Sequence, residues 1–318
     1  MHIFVAGATG AVGRRLVARL VGSGHSVVGL TRTPAKADIL RELGAEPVVA
    51  DALEEDAIYS AVTAAQPDVI VHELTDLSGQ SDLRKFDQAF ASSNQLRTRG
   101  TEYLLAAARD CGVKRIVAQS YCGWPYARIG GDVKSEDDPL DLNPPQELRN
   151  TLNALRYLEH VISTSEAPEG VVLRYGAFYG PGTGIFDPAL IDQVRSRKMP
   201  VIGGGTGWWS FLHIDDAAEA TALAVERGRG IYNIVDDEPA MVLDWLTELA
   251  SMTGARPPYR IPAWLARFAV GEHLVVMMTE LRAGSNVKAK EELGWQPRHA
   301  TWRTGFAEIA KDDMRRAA

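Results

Sequence analysis

The sequence predicts an α/β protein in which a doubly wound parallel sheet is joined to a smaller C-terminal lobe of mixed α/β structure. Three observations support this fold class. Residues 3–6 form a continuous apolar run, which is typical of a strand covered on both faces of a parallel sheet. Further apolar runs alternate with helical patterns of roughly ten to twenty residues. After Arg174 this alternation stops and glycine-rich turns begin, so a second lobe is expected there.

The predicted strands and helices of the first part follow one another in a regular order. Strands are predicted over residues 3–6, 25–30, 46–50, 69–72, 114–119 and 170–174. Helices are predicted to begin at Val12 and to cover residues 34–43, 54–65, 86–111 and 147–164. Right-handed crossovers between such strands give a doubly wound sheet, whose ligands bind beyond the carboxyl ends of the strands.

Three glycines follow the first strand, just where the pattern becomes helical. Gly7 permits a tight turn, Gly10 lets the backbone approach a pyrophosphate, and Gly13 lets the helix pack closely on the strand. The free N–H groups and the dipole of the helix start favour an anion. The sequence therefore predicts a Rossmann dinucleotide-binding domain over residues 1–175, together with 209–235. The other cofactor contacts predicted in this turn are Thr9, Ala11 and Val12.

The end of the second strand indicates which dinucleotide binds. NAD sites in such sheets place an acidic residue there, whereas NADP sites use an arginine for the 2′-phosphate. Here the strand ends in Thr31 and Arg32, a cation in place of the acid. We therefore predict that NADP is preferred over NAD. The alternative is a solvated arginine at a helix start.

Residues 176–208 and 236–318 are predicted to form the substrate-binding lobe. Glycine-rich turns lie at residues 180–182 and 203–205. Residues 261–281 are the most apolar late segment, but they contain Arg267, Glu272 and His273. Charged residues at these positions argue against a membrane span, so an amphipathic helix covering a pocket is expected.

Composition and charge restrict the possible partners. The 318 residues carry a formal net charge of −7 and no basic run, which argues against a nucleic-acid surface. Cys111 and Cys122 match no metal-ligand spacing and indicate a reducing compartment. Met1 leads directly into a strand, without a signal-peptide pattern. We expect a cytoplasmic protein that acts on a small molecule and uses no metal, nucleic acid or membrane.

Motifs along almost the whole chain carry a resemblance to a known family. They are Gly7-Ala-Thr-Gly-Ala-Val-Gly13, Asp51-Ala-Leu53, Val71-His72, Asn94 with Gly100-Thr101, Lys114-Arg-Ile-Val-Ala-Gln-Ser120, Val172-Leu-Arg174, Tyr179-Gly-Pro-Gly182, Phe211-Leu-His-Ile-Asp-Asp216, Tyr232-Asn-Ile234 and residues 288–297. In this order the motifs resemble the extended short-chain dehydrogenase/reductases, the NAD-dependent epimerase/dehydratase family.

The resemblance implies roles for several residues. Asp51 would contact the adenine beside Ala52 and Leu53, Asn94 would make a structural polar link, and Ser120 would orient the substrate. The alternatives are a helix cap at Asp51 and a loop cap at Ser120. The strand ends add the cofactor contacts His72, Leu74, Gln119 and Tyr175. Proteins that the chain resembles also dimerise through the helices predicted at residues 86–111 and 147–164, so a homodimer is expected.

The chain departs from the family at its Tyr-x-x-x-Lys pair. Counted back from Glu159, the Lys position falls on Leu155 and the Tyr position on Thr151, while Tyr157 has no lysine four residues later. A phenol that acts as a base near pH 7 needs its pKa lowered by about three units, roughly 4 kcal/mol. Hydride transfer itself needs no tyrosine, because the cofactor carries that chemistry. The proton must therefore come from elsewhere, or the substrate must need none.

Other side chains are candidates for a non-standard proton relay and a substrate pocket. The relay candidates are Ser120, Tyr121, Tyr126 and Thr151. The substrate candidates are Ser120, Trp124, Tyr179, Trp208, Trp209 and His213. So many aromatic residues favour a flat, apolar or aromatic substrate, although each one singly suits packing, and His213 especially.

The sequence thus predicts an NADP-dependent oxidoreductase. Two alternatives stay open, a cofactor-retaining isomerase, epimerase or dehydratase, and a non-catalytic NADP-binding sensor or scaffold.

Overall fold

A seven-stranded parallel sheet is the largest element of the computed structural model, which describes residues 1–76, 83–183 and 188–317. Its strands are His2–Ala6 (β1), Ser26–Thr31 (β2), Glu46–Val49 (β3), Val69–His72 (β4), Arg115–Tyr121 (β5), Glu169–Tyr175 (β6) and Gly230–Ile234 (β7). Their spatial order is β7-β6-β5-β4-β1-β2-β3. The predicted doubly wound sheet is confirmed.

Strand β1 shows why the sheet is covered on both faces. Phe4 and Ala6 belong to a core formed with helix residues such as Leu104 and Leu158, while Ile3 and Val5 are equally buried on the opposite face. Ala6 pairs in register with Leu30 of β2 and His72 of β4. The carboxyl ends of these three strands therefore meet at one edge, which positions the site.

The helices follow the predicted order, with local departures. Those of the first part are Ala11–Gly22, Ala37–Glu42, Glu55–Ala65, Phe86–Ala89, Ala91–Gln95, Thr101–Asp110 and Arg149–Ser163. Short 3₁₀ turns at Pro34–Lys36 and Gln146–Leu148 precede two of them. Later helices are Pro188–Arg195, Ile214–Glu226, Val242–Met252, Ala263–Val270, Glu272–Thr279, Val287–Leu293 and Trp302–Ala317.

The single helix predicted over residues 86–111 is wrong. The chain breaks at Phe90 and forms a π-helical turn over Leu96–Gly100. Hydroxyl groups bind carbonyl groups in this turn and just before it, since Thr98 donates to the carbonyl of Asn94 and Thr101 to that of Arg97. Such side-chain bonds compete with the regular helical ladder. The single helix predicted over residues 261–281 is also wrong, because Gly271 separates two helices with a φ of 91°.

The chain divides into two compact units. The first comprises Met1–Ser120, Leu148–Arg174 and Ala217–Tyr232, and the second comprises Tyr121–Glu147, Tyr175–Asp216 and Asn233–Ala318. The second unit has its own aromatic core, which includes Tyr179, Phe211, Trp245, Trp302 and Phe306. Among the described residues, no helix combines the length and apolarity needed to cross a membrane.

Candidate functional site

The glycine turn after β1 has the shape that a pyrophosphate needs. Gly7 has a φ of 91°, and a Cβ there would lie 2.5 Å from the carbonyl oxygen of Glu73. A Cβ on Gly13 would lie 2.2 Å from the carbonyl oxygen of Gly7. Gly10 is exposed and is the N-cap residue of helix Ala11–Gly22. No described side chain makes a capping hydrogen bond to this helix start. Its first N–H groups are thus left for an anion, and the residues fit a dinucleotide.

The end of β2 brings two threonines and a cation to the same edge. Thr9 Oγ1 lies 3.3 Å from Thr31 Oγ1, which also accepts the N–H of Thr33. Arg32 is 56% exposed, and its Nη2 lies 3.1 Å from Asp76 Oδ2. An ion pair this exposed contributes at most about 1 kcal/mol, so Arg32 is able to exchange Asp76 for a stronger anion.

Asp51 forms a local turn after β3 and caps no helix. Its Oδ1 accepts the N–H of Leu53 at 3.0 Å, whereas helix Glu55–Ala65 begins without a side-chain cap. Asp51 is exposed and Ala52 is buried. The second carboxylate oxygen of Asp51 therefore has room for an external donor, and the adenine contact stays a prediction.

His72 ends β4 as a buried, neutral imidazole. Thr101 Oγ1 donates to the carbonyl of Arg97, so His72 Nε2 must donate to Thr101 Oγ1, 3.0 Å away. Nδ1 accepts the N–H of Leu74 at 3.3 Å. Burial lowers the pKa of His72 to about 4, with a further contribution from the charge of Arg97. His72 shapes the strand end through hydrogen bonds and carries no charge at neutral pH.

The depressed pKa of His72 predicts acid sensitivity. Below its ordinary pKa of 6.5 the unfolded chain binds a proton that the folded chain excludes down to about pH 4. The free energy of unfolding therefore falls as the pH drops through this window, by roughly 3 kcal/mol when the effect is complete. Urea unfolding between pH 7 and pH 4 measures it. His72→Gln should flatten the profile by that amount, and an unchanged profile would rule out His72 as the cause.

Ser120, at the carboxyl end of β5, is hydrogen-bonded to a buried ion pair. Its Oγ donates to Glu159 Oε1 at 2.6 Å, because a carboxylate only accepts. Arg174 donates from Nε to Oε1 at 2.8 Å and from Nη2 to Oε2 at 2.7 Å. Both charged side chains are about 95% buried. The proton of Ser120 is thus held by Glu159, and toward a ligand the hydroxyl offers only its lone pairs.

Thr151 occupies the Tyr position of the family, and its hydroxyl is also engaged. Its Oγ1 donates to Asp87 Oδ1 at 2.7 Å and accepts from Asn94 Nδ2 at 3.0 Å. Asp87 in addition accepts the N–H groups of Asn150 and Thr151, which fixes the first turn of helix Arg149–Ser163. Thr151 is 1% exposed. The structure therefore favours a positioning role for Thr151 over the predicted place in a proton relay.

The Lys position and Tyr157 do not restore a catalytic pair. Leu155 is buried in place of the ammonium group. The Tyr157 hydroxyl donates to Glu102 Oε1 at 2.6 Å, and burial together with this carboxylate raises the pKa of Tyr157 to about 12. Tyr157 is therefore a neutral phenol at physiological pH.

Two relay candidates lie in the second unit. The Tyr126 hydroxyl is buried and donates to Asn233 Oδ1 at 2.7 Å. Tyr121 lies beside Trp124, with ring centroids 6.3 Å apart, and burial raises the pKa of Tyr121 above its ordinary value. Tyr121 is therefore a neutral hydrogen-bond donor and no base.

The remaining predicted contacts differ in accessibility. Trp208 and Trp209 are half-buried, and Trp209 Nε1 donates to the carbonyl of Met277. Tyr175 is buried against Phe178. Gln119 and Leu74 are half-buried near the ends of their strands.

Tyr179 and His213 are buried in the second unit, and their substrate role stays a prediction. Tyr179 is fully buried against Phe211 and Phe306. The His213 ring is buried and stacks on that of His299 at 3.6 Å. Neither side chain is exposed to a ligand, because aromatic packing covers both.

His213, Asp216 and His299 form the cluster of metal-ligand residue types among the described residues, within 4.8 Å of one another. Asp216 accepts the N–H groups of Arg298 and His299 and lies 3.1 Å from His299 Nδ1. The two imidazole rings are stacked, with an angle of 23° between their planes. These contacts suit a hydrogen-bonded link between the three side chains better than a metal site. Asp216 lies in the first turn of helix Ile214–Glu226 and also binds residues 298–299.

The comparisons with known proteins identify the class. A model of the NAD dependent epimerase/dehydratase family matches residues 3–235, and the chain belongs to this family. Its relatives are named as reductases, epimerases and dehydrogenases. The chain is accordingly an NAD(P)-dependent enzyme of oxidoreductase or epimerase-like type, which confirms the resemblance inferred from the motifs.

Two relatives illustrate the range of activities. The chain is 42% identical over 309 residues to a 3-diazoavenalumate denitrifying reductase of Streptomyces sp, covering 96% of this chain and 99% of the relative. It is 29% identical over 286 residues to a 4-hydroxy-2-methyl-3-oxo-4-farnesyl-3,4-dihydroquinoline-1-oxide ketoreductase of Stigmatella aurantiaca, covering 86% and 80%.

Solved structures share the fold. A UDP-glucose 4-epimerase of Thermotoga maritima with UDP-glucose has a TM-score of 0.78 at 20% identity, with both chains fully covered. A human epimerase family protein with NADPH has a TM-score of 0.76 at 20% identity, covering 98% of this chain and 100% of that one.

Proposed function

We propose that the chain is an NADPH-dependent reductase that replaces the diazonium group of a small aromatic compound with hydrogen. NADPH, when bound, supplies the hydride. The new bond joins that hydrogen to the ring carbon, the C–N bond breaks, and N₂ leaves with the electron pair of that bond. The arene is reduced, the nicotinamide is oxidised, and no proton is consumed.

The observation that carries the proposal is that the hydroxyl protons of Ser120 and Thr151 are both held by carboxylates. Ser120 donates to Glu159, and Thr151 donates to Asp87. Leu155 replaces the ammonium group that lowers a phenol pKa in the family. A ketone needs a proton on its oxygen as hydride arrives, but a diazonium carbon needs hydride alone. These residues suit the second kind of substrate better.

The 42% identical relative supports this choice. Its name specifies a diazo substrate, a reduction and the loss of nitrogen, and it matches nearly the full length of this chain. A flat aromatic substrate also agrees with Trp124, Trp208 and Trp209, which are only half-buried.

NADP as the preferred cofactor is part of the same proposal. Arg32 and Thr31 support it, since a guanidinium group at the end of β2 suits a 2′-phosphate and no acidic residue stands in its place. The weak pairing of Arg32 with Asp76 leaves the guanidinium group available.

Replacing Arg32 with alanine should weaken NADPH binding about 10- to 100-fold, because a hydrogen bond to a charged group contributes about 1.5–3 kcal/mol. NADH binding should change less than about threefold. Dissociation constants from fluorescence titration measure both. Arg41→Ala, which removes another exposed arginine paired with Asp38, is the control. Equal losses for the two cofactors, or a tenfold preference of the wild type for NADH, would reverse the cofactor assignment.

Turnover of diazonium compounds tests the activity itself. Purified protein with NADPH should release one equivalent of N₂ per NADPH oxidised from 3-diazoavenalumate or a plain arenediazonium salt. Heat-denatured protein is the control for spontaneous decomposition. A panel of ketones and sugar nucleotides should be turned over at least about 100-fold more slowly, because Ser120 and Thr151 both donate their hydroxyl protons to carboxylates. Preferred turnover of ketones would contradict the proposal.

A ketoreductase is the second candidate function, and Tyr121 is the observation in its favour. Its phenol stays protonated because its pKa is raised, and one relative is named a ketoreductase. Loss of ketone reduction in Tyr121→Phe, with diazonium reduction weak in the wild type, would support this candidate. Sugar isomerisation without net NADPH oxidation would instead indicate a cofactor-retaining enzyme.

We further propose that the enzyme works in the cytoplasm as a homodimer on a small molecule. Cys111 and Cys122 form no disulfide, which is consistent with a reducing compartment. The dimer rests on the family resemblance of the two long helical segments, and sedimentation equilibrium tests it.

A further inference from the structure

Arg97 is a buried cation that has no counter-ion among the residues the structure describes. It lies in the π-helical turn Leu96–Gly100 and is only 8% exposed. Its Nη1 donates to Asn94 Oδ1 at 3.1 Å, and its guanidinium carbon lies 6.0 Å from the Phe90 ring centroid. In residues 1–76, 83–183 and 188–317, no carboxylate forms an ion pair with it.

An unpaired buried charge is expensive. Removing a charged group from water costs several kcal/mol unless an opposite charge compensates. Burial lowers the pKa of Arg97 to about 10, which still leaves the group protonated at neutral pH. The charge is therefore present, and no described carboxylate compensates it, so an external anion would be favoured beside it.

The guanidinium group has free donors for such an anion. Beyond the bond from Nη1 to Asn94, its other N–H groups have no acceptor among the described residues. Its nitrogens are nevertheless absent from the fully enclosed polar atoms that lack a partner, so they reach accessible space. A planar fork of this kind binds a carboxylate through two parallel hydrogen bonds.

Arg97 also lies close to the residues that replace the family's catalytic pair. Asn94 joins the two, since its Oδ1 accepts from Arg97 and its Nδ2 donates to Thr151 Oγ1. Arg97 further influences His72, which ends β4 at the ligand edge of the sheet. An anion on Arg97 would therefore be held near the position where the family performs its chemistry.

We propose that Arg97 is a specificity residue that binds the carboxylate of an aromatic acid substrate. The single guanidinium group matches a monoanion, whereas the pyrophosphate of the cofactor has its own donors at the glycine turn. That the acid is reduced rests on the proposed function, but its recognition by Arg97 does not.

Binding measurements test Arg97 apart from turnover. Isothermal titration of NADPH-saturated protein compares cinnamate with its neutral amide, cinnamamide. Wild type should bind cinnamate at least about tenfold more tightly, and Arg97→Met should abolish that preference. Arg97→Lys should retain part of it, because it keeps the charge and loses the fork. Arg99→Met, two residues along and exposed, should behave like wild type.

Thermal unfolding separates binding from a structural role. If Arg97 serves a ligand, removing its unpaired charge should leave the Tm of Arg97→Met unchanged or higher. A structural role would lower it. Equal cinnamate affinity in wild type and Arg97→Met, no binding of cinnamate to wild type, or a lowered Tm would each overturn the proposal. Arg97-dependent binding of inorganic phosphate in place of cinnamate would show that the carboxylate assignment is wrong.

The kinetic test distinguishes this inference from the proposed function. With a carboxylated arenediazonium, Arg97→Met should raise KM at least about tenfold, and an uncharged arenediazonium should show no such change. Cinnamate binding that depends on Arg97 without any diazonium turnover would refute the proposed function and leave the anion site standing.

Discussion

Replacing Gly13 with alanine should abolish measurable NAD(P)H binding and destabilise the first unit. The added Cβ would lie 2.2 Å from the carbonyl oxygen of Gly7 and 2.9 Å from the backbone of Ala8, and backbone atoms cannot move aside cheaply. Helix Ala11–Gly22 would have to shift away from β1, which opens the phosphate cradle. We expect affinity to fall more than 100-fold, which is about 3 kcal/mol.

Gly22→Ala is the matched control for Gly13. It lies at the end of the same helix, and a Cβ there would meet nothing within 4 Å. Its stability should be unchanged or slightly higher, because alanine restricts the unfolded chain. Titration with NADPH and urea unfolding measure both variants. If Gly13→Ala bound NADPH like Gly22→Ala, the glycine turn would not be the cofactor site.

Replacing Glu159 with glutamine should destabilise the protein by about 3–5 kcal/mol. The change removes the carboxylate charge that faces Arg174, so the buried guanidinium group lies beside a neutral amide. A loss of that size is a large fraction of the 5–15 kcal/mol by which domains are typically stable. Urea unfolding at pH 7 measures it.

Two controls make the Glu159 result specific. Arg267→Ala breaks the exposed pair with Glu272 and should change stability by less than about 1 kcal/mol. The double variant Glu159→Leu with Arg174→Met removes both charges and should recover much of the loss. A Glu159→Gln variant no less stable than Arg267→Ala would mean that the buried pair contributes little.

The sequence alone predicts those parts of the site that depend on local pattern. The glycine turn, the strand ends at Thr31 and His72, and the missing Tyr and Lys are each visible within a few residues. Their positions in space follow from the rule that parallel strands end at one edge of the sheet. The family resemblance adds the residue roles that spacing cannot supply.

The rest depends on contacts between distant segments. Thr151 is joined to Asp87 across 64 residues, and Ser120 to Glu159 across 39. One signal was available, since Glu159 lies on an otherwise apolar helix face with Leu155 and Ile162, where a charge needs a buried partner. Nothing local identifies Arg97 as buried, because the π-helical turn that turns it inward has no pattern in the sequence.

The sequence does not distinguish aromatic residues of a pocket from those of a core. Tyr179 follows a motif and is a candidate for substrate contact, and in the structure it packs inside the core of the second unit. An aromatic side chain buries a large area wherever it can, so its presence near a motif does not show on which side of the chain backbone it lies.

The most direct test of the central claim is isotope transfer from NADPH deuterated at C4 of the nicotinamide. The enzyme should place one deuterium on the arene carbon that lost N₂ when the reaction runs in ordinary water. In D₂O with unlabelled NADPH, that carbon should carry hydrogen alone. An arene whose new hydrogen comes from solvent, or reduction of ketones in preference to diazonium compounds, would contradict a hydride-only reaction at this site.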